Sequence, residues 1–222
     1  MNDFNDCWYN EVCGRRAERC EATCARYHEM KYLMDNSNIP KNKQLPMVLK
    51  PSTCDLEAFR RLADIKANIV EFVEQGTNIY IMSNHVGNGK TSWAIKLMLK
   101  YFDSIWDGNG FRVRGVFVHV PTFLMKCKDF KSTDTEFEEL KKNILTADLV
   151  IWDDLASTGM SSYDFTQLVV YMDARSLNGL SNIITGNLTT REDMLDSIGA
   201  KLTSRLWAKD TEVIEFKGGD RR

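Results

Sequence analysis

The chain has 222 residues, 43% of them hydrophobic and 27% charged, with a formal net charge of −2; that is enough for one α/β core and a small appendage. Near-neutral charge excludes a protein that coats nucleic acid through bulk positive potential, though not one with a local basic groove. No apolar run approaches the roughly 20 residues of a membrane span, and the polar, acidic start Met1-Asn2-Asp3-Phe4-Asn5-Asp6 is unlike a signal peptide, so a cytoplasmic protein without membrane attachment is expected.

Four of the six cysteines, Cys7, Cys13, Cys20 and Cys24, crowd into the first stretch. In a reducing compartment such a cluster is more readily a metal site than a set of disulfides. Zinc favours four thiolates in a tetrahedron. Gly14 permits a tight turn, Cys20 and Cys24 would share a helix face, and His28 could replace one thiolate. The spacing Cys-x5-Cys-x6-Cys-x3-Cys is not a standard zinc pattern, and the other reading is a small helical segment with free, partly buried cysteines. So short a segment buries little apolar surface, and Zn²⁺ would supply its folding free energy. Residues 1–34 are thus expected as a cysteine-rich segment, and residues 35–50, with Pro40 and Pro46 among polar side chains, as a linker. Residues 51–222 form the main domain.

Asp55–Val73 carries a helical apolar stripe of Leu56, Phe59, Leu62, Ile65, Ile69 and Phe72, with Thr53 and Asp55 as candidate caps. Ile79–Met82 reads as a short buried strand. Asn84-His85-Val86-Gly87-Asn88-Gly89-Lys90-Thr91-Ser92 follows, and then the helical pattern Trp93–Phe102. Strand, glycine turn, Gly-Lys-Thr and helix form the context of a phosphate-binding loop. The glycines let the backbone curl so that successive N–H groups point at phosphate oxygens, and the helix start adds its free N–H groups. Lys90 is expected at the β- and γ-phosphates of ATP, and the Thr91 hydroxyl on Mg²⁺. Asn84 stands where this pattern usually begins with glycine. Asn tolerates positive φ better than most residues, so the turn remains feasible.

Val113–Val120 reads as a strand and Pro121 opens a helix. Residues 131–143 are highly charged and read as a solvated loop or helix start. Lys126, Lys128 and Lys131 read as solvated lysines in preference to DNA contacts. Leu149–Trp152 is a buried strand ending in Asp153 and Asp154. The first carboxylate suits Mg²⁺, and the second can polarise an attacking water. Ser162–Ser176 is a helix. Asn182–Thr185 is a strand ending at Gly186-Asn187, where a polar side chain can orient that water. Arg191–Trp207 makes one or two helices and Thr211–Phe216 a last strand.

Gly87-Asn88-Gly89-Lys90-Thr91-Ser92, the Leu149–Leu155 run, Ile183-Ile184-Thr185-Gly186-Asn187 and Ser204-Arg205-Leu206 together resemble the AAA+ ATPases. Within them the likeness is to helicase loaders of the DnaC/DnaI and IstB-like type, over roughly residues 55–222. The resemblance implies a P-loop α/β fold, a parallel sheet core sandwiched by helices, with a reduced or absent C-terminal lid. It implies an ATPase using ATP and Mg²⁺, with Lys90, Asp153, Asp154, Asn187 as sensor 1, and Arg205 as a finger on the γ-phosphate of a neighbouring subunit, hence a homo-oligomer. Asp154 stands where many members have the longer Glu. Arg175 falls where such loaders often carry Arg, a solvated helix-end charge being the other reading. Arg221 and Arg222 could stand near the phosphates, although basic tails are usually just solvated. The implied partners are a replicative DnaB-type helicase, gripped through the cysteine-rich segment, and single-stranded DNA. The small size and cysteine spacing suggest a bacteriophage or prophage protein. A transposition helper ATPase assembling on DNA, and a nucleotide-gated binding module with little turnover, are alternatives that the core motifs do not separate.

Overall fold

The computed structural model describes residues 24–44, 48–105, 110–129, 134–157, 159–209 and 211–220. Its five strands are β1 (Asn78–Met82), β2 (Gly115–His119), β3 (Leu149–Leu155), β4 (Ser181–Gly186) and β5 (Thr211–Glu215). They lie parallel in the order β2-β3-β4-β1-β5. β4 is buried throughout, and β3 is buried except at the half-buried Asp154. Strands covered on both faces read as continuous apolar runs, as these do.

The pleat sends alternate side chains into two cores. Ile79 and Ile81 of β1 and Leu149 and Ile151 of β3 pack with α1 (Ala25–Asn36), α2 (Leu56–Ala67), α3 (Ile69–Glu74) and α4 (Lys90–Ser104). Tyr80, Met82, Val150 and Trp152 pack with α5 (Val120–Cys127), α6 (Thr135–Thr146), α7 (Ser162–Leu177) and α8 (Arg191–Leu206). The result is a three-layer sandwich. Local chemistry sets several helix starts. Asp134 accepts from the Phe137 N–H, Ser161 and Asp164 form a capping box, and Thr190 accepts from the Asp193 N–H.

The structure departs from the sequence reading in four places. The helix expected over residues 55–73 is two helices, broken at Asn68. That residue leaves helical geometry (φ −111°, ψ 26°), and its Nδ2 donates to the Asp64 carbonyl at 3.0 Å. Leu56, assigned to the apolar stripe, is 58% exposed. Asp55 caps nothing with its side chain; its buried carboxylate accepts the N–H groups of Lys217 and Gly218 at 2.7 and 3.0 Å and so ties the end of the sheet to α2. The supposed linker is fixed over Ser37–Gln44. The Phe117 N–H donates to the Ser37 carbonyl at 2.7 Å, Asn38 Nδ2 donates to the Phe117 carbonyl at 2.9 Å, and Ile39 is buried. Chain thereby covers the exposed edge of β2, while Met30, Leu33 and Met34 of α1 enter the same core as α4.

The Arg191–Trp207 segment is two helices across Gly199, whose φ of 71° breaks α8. Among the described residues no helix is long and apolar enough to cross a membrane.

Candidate active site

The tips of β1, β3 and β4 meet because β4 lies between the other two. In such sheets ligands occupy the crevice at the carboxyl ends of the strands. Here that crevice is a cleft of about 410 Å³ lined by Gly87, Asn88, Gly89, Lys90, Thr91, Ser92, Asp153, Asp154, Thr185 and Asn187, among others. Of the sequence-predicted residues, Val86 to Ser92, Asp153, Asp154 and Asn187 line this cleft, whereas Asn84, His85 and Arg205 do not.

The phosphate loop turns on Gly87 (φ 71°) and Gly89 (φ 100°), conformations that a side chain would strain. Asn84 does not adopt positive φ, so the tolerance invoked for it is not used. Its Oδ1 instead accepts from the Thr189 hydroxyl at 2.7 Å, bracing the loop against the β4–α8 connection. Inside the loop, Asn88 is buried and donates to Ser83 Oγ and to the Gly218 carbonyl. Ser83 Oγ also accepts the His85 N–H at 3.1 Å. Val86 is exposed at the rim. α4 starts at Gly89 without a side-chain cap, which leaves its first N–H groups for an anion. Lys90 is buried, and its ammonium donates to the His85 carbonyl at 2.9 Å. Burial lowers its pKa, opposed by the attraction of Asp154 and Asp153.

Asp153 is buried, accepts the Thr185 hydroxyl at 2.8 Å and is hydrogen-bonded by Thr91. Burial raises its pKa against these two donors. The two side chains expected on Mg²⁺ are thus already in contact, and a cation between them would favour the carboxylate that burial disfavours. Asp154 occupies a bulge. Trp152 pairs with Ile184 and Leu155 with Gly186, so β3 uses one residue more than β4. The bulge puts Asp154 at φ 64°, with its backbone N–H donating to Thr185 Oγ1 at 3.0 Å. Asp is among the non-glycine residues that best accept this conformation, a local reason for Asp rather than the longer Glu. His119 Nε2 stands 3.9 Å from its Oδ2. Asn187 presents a buried Oδ1 with no protein hydrogen-bond partner, as expected of an acceptor that a water or substrate group completes.

Other candidates fall elsewhere. Arg205 lies near Asn78 and Asn182, at the starts of β1 and β4, at the end of the sheet away from the phosphate loop. It pairs with Asp173 and donates to the Lys201 carbonyl at 2.6 Å. Arg175 is not a solvated helix-end charge: it is fully buried. Its Nε donates to Asn182 Oδ1 at 2.7 Å, and its terminal nitrogens donate to the carbonyls of Ile144, Ala147 and Ser181 at 2.6, 2.8 and 2.5 Å. Burial lowers its guanidinium to about 9, still above neutral pH. Arg175→Met would orphan these acceptors and is expected to destabilise the protein by about 3 kcal/mol in urea unfolding. A change below roughly 1 kcal/mol would show that the network carries little of the fold's stability.

Lys126 and Lys128, read as solvated, pair with Asp134 and Asp164 at 2.8 and 2.9 Å. Cys7, Cys13, Cys20, Lys131, Arg221 and Arg222 lie outside the described residues. Cys24 is exposed, and among the described residues no three potential metal ligands gather.

Sequence reasoning missed two features. Thr185 donates to the Asp153 carboxylate and accepts the Asp154 backbone N–H, a role invisible in a strand motif read for its apolar residues. A second cleft of about 350 Å³, walled by Val48, Leu49 and Phe59, adjoins the first and shares Gly87, Asn88, Gly89 and Ser92 with it.

No protein-family model and no curated protein sequence matches the chain. Among solved structures, the fold is similar to that of a DnaC helicase loader, with a TM-score of 0.64 and 20% identity over 80% of this chain and all of that one. A DnaI structure matches with a TM-score of 0.63 and 16% identity, over 80% of this chain and 94% of that one. AMPPCP-bound DnaA from Aquifex aeolicus matches with a TM-score of 0.57 and 15% identity, over 76% of this chain and 48% of that one. These likenesses show that the chain shares the parallel-sheet α/β fold of those proteins.

Proposed function

We propose that this chain is an ATP-dependent helicase loader. The observation that carries the reading is the convergence of Lys90, Thr91, Asp153, Asp154 and Asn187 on one cleft, within a fold like those of DnaC and DnaI. ATP lies with its phosphates on the loop and its base in the apolar cleft of Val48, Leu49 and Phe59. Thr91 and Asp153 would hold Mg²⁺, which neutralises phosphate charge when bound. Asp154 and Asn187 orient the water that attacks the γ-phosphate, and Arg205 of a neighbouring copy stabilises the charge that develops there. The γ-phosphate then joins one subunit to the next, and its hydrolysis breaks the joint. The protein holds a replicative DnaB-type helicase through its N-terminal segment and delivers it to single-stranded DNA, with hydrolysis as the release step.

The test is size-exclusion chromatography with light scattering of the protein mixed with its host's replicative helicase, with and without ATP. A stable complex is expected, weakened by removing residues 1–23. The truncation stops there because Met30, Leu33 and Met34 belong to the ATPase core. If the helicase elutes alone under every nucleotide condition, while the protein assembles with ATP on duplex DNA, the transposition-helper reading replaces this one.

A further inference from the structure

We propose that Lys43 is a second phosphate-binding cation of the nucleotide site, through which nucleotide occupancy clamps residues 37–44 onto the ATPase core. The proposal rests on the nucleotide reading of the cleft given above.

Lys43 lines the phosphate cleft together with Lys90, Thr91 and Asp153, although it comes from the stretch expected to be a linker. Its ammonium donates to Ser92 Oγ in the first turn of α4 at 3.4 Å, a long bond to a neutral acceptor. Among the described residues no carboxylate pairs with it. Charge-assisted bonds to an anion are roughly twice as strong as those to a neutral group, so a phosphate oxygen displaces the serine as its partner.

The turn that presents Lys43 is built rather than loose. Its N–H donates to the Pro40 carbonyl at 2.7 Å, and Gln44 Nε2 donates to the Ile39 carbonyl at 3.0 Å. Ile39 is buried, and Asn38, at φ 58°, bonds the β2 edge. A cation held in advance loses little freedom on binding. Ser92 also borders the apolar cleft, so Lys43 stands where the two clefts meet, at the phosphates common to ATP and ADP. The same turn follows α1, so occupancy of the cleft tightens residues 37–44 against the core that α1 already joins.

The test is a titration of the full-length chain with fluorescent ATP and ADP analogues. Lys43→Ala should weaken both alike, by roughly tenfold, and Lys43→Arg should recover most of the affinity. Hydrogen exchange supplies the second readout. In the parent, nucleotide should slow exchange at the Lys43 and Gln44 amides as well as in the phosphate loop. In Lys43→Ala it should slow the loop alone. Affinity unchanged in Lys43→Ala, a loss confined to ATP, or exchange at residues 37–44 indifferent to nucleotide in the parent each overturns the proposal. A parent that binds neither nucleotide overturns the reading of the cleft itself.

Discussion

Lys90→Ala is expected to weaken ATP binding by about 10³-fold while leaving the nucleotide-free protein folded. The cleft holds two carboxylates, Asp153 and Asp154, and receives a polyphosphate. Without the buried ammonium, negative charges face each other in a site from which water is partly excluded; removing one partner of a buried ionic arrangement costs about 3–5 kcal/mol, which is the stated loss of affinity. Stability moves the other way. Burial lowers the Lys90 pKa, so the folded chain binds this proton less tightly than the unfolded chain does. The charge therefore opposes folding in full at pH below the lowered pKa, a cost that fades as pH rises toward the unfolded value, and removing the charge relieves it near neutral pH. The measurements are a nucleotide titration and a thermal melt without ligand. Affinity within threefold of the parent would place the phosphates elsewhere.

What the sequence shows and what it hides divide along a physical line. The phosphate loop and the Asp153–Asp154 strand tip are legible because they depend on local rules: an apolar run long enough for a buried strand, glycines where φ must be positive, charge where the strand ends. What escapes depends on groups brought together from afar. Nothing around Arg175 in sequence announces that the carbonyls of Ile144, Ala147 and Ser181 will surround it, because α6, the turn after it and the start of β4 meet only in the folded sheet. Asp55 looks like a helix cap by position, yet it serves the chain 162 and 163 residues later. Ser37–Gln44 looks like a linker because its composition is polar, while two hydrogen bonds to Phe117 and the burial of Ile39 hold it to the edge of the sheet. The bulge at Asp154 depends on the register of β4 and cannot be read from β3 alone.

Arg205→Ala is expected to lower ATP turnover on the order of 10³-fold while leaving ATP affinity within a few-fold of the parent. The proposed action of Arg205 across subunits entails that combination. It stands by the starts of β1 and β4, and the phosphate loop follows the far end of β1, so the side chain does not line its own chain's phosphate cleft. In the proposed mechanism it therefore acts on the site of another copy. Its partner in the single chain is Asp173, and both side chains are substantially exposed (33% and 40%). Such a pair contributes at most about 1 kcal/mol, so a γ-phosphate in a closed interface competes with it readily. Mixing then separates the two variants. Lys90→Ala cannot hold ATP but offers Arg205, whereas Arg205→Ala holds ATP but lacks the finger. Equal parts of the two should recover turnover that neither shows alone. Parental turnover in Arg205→Ala would remove the finger assignment. Loss of turnover with no recovery on mixing would remove its action across subunits, leaving Arg205 as the partner of Asp173 that helps hold α8 to α7.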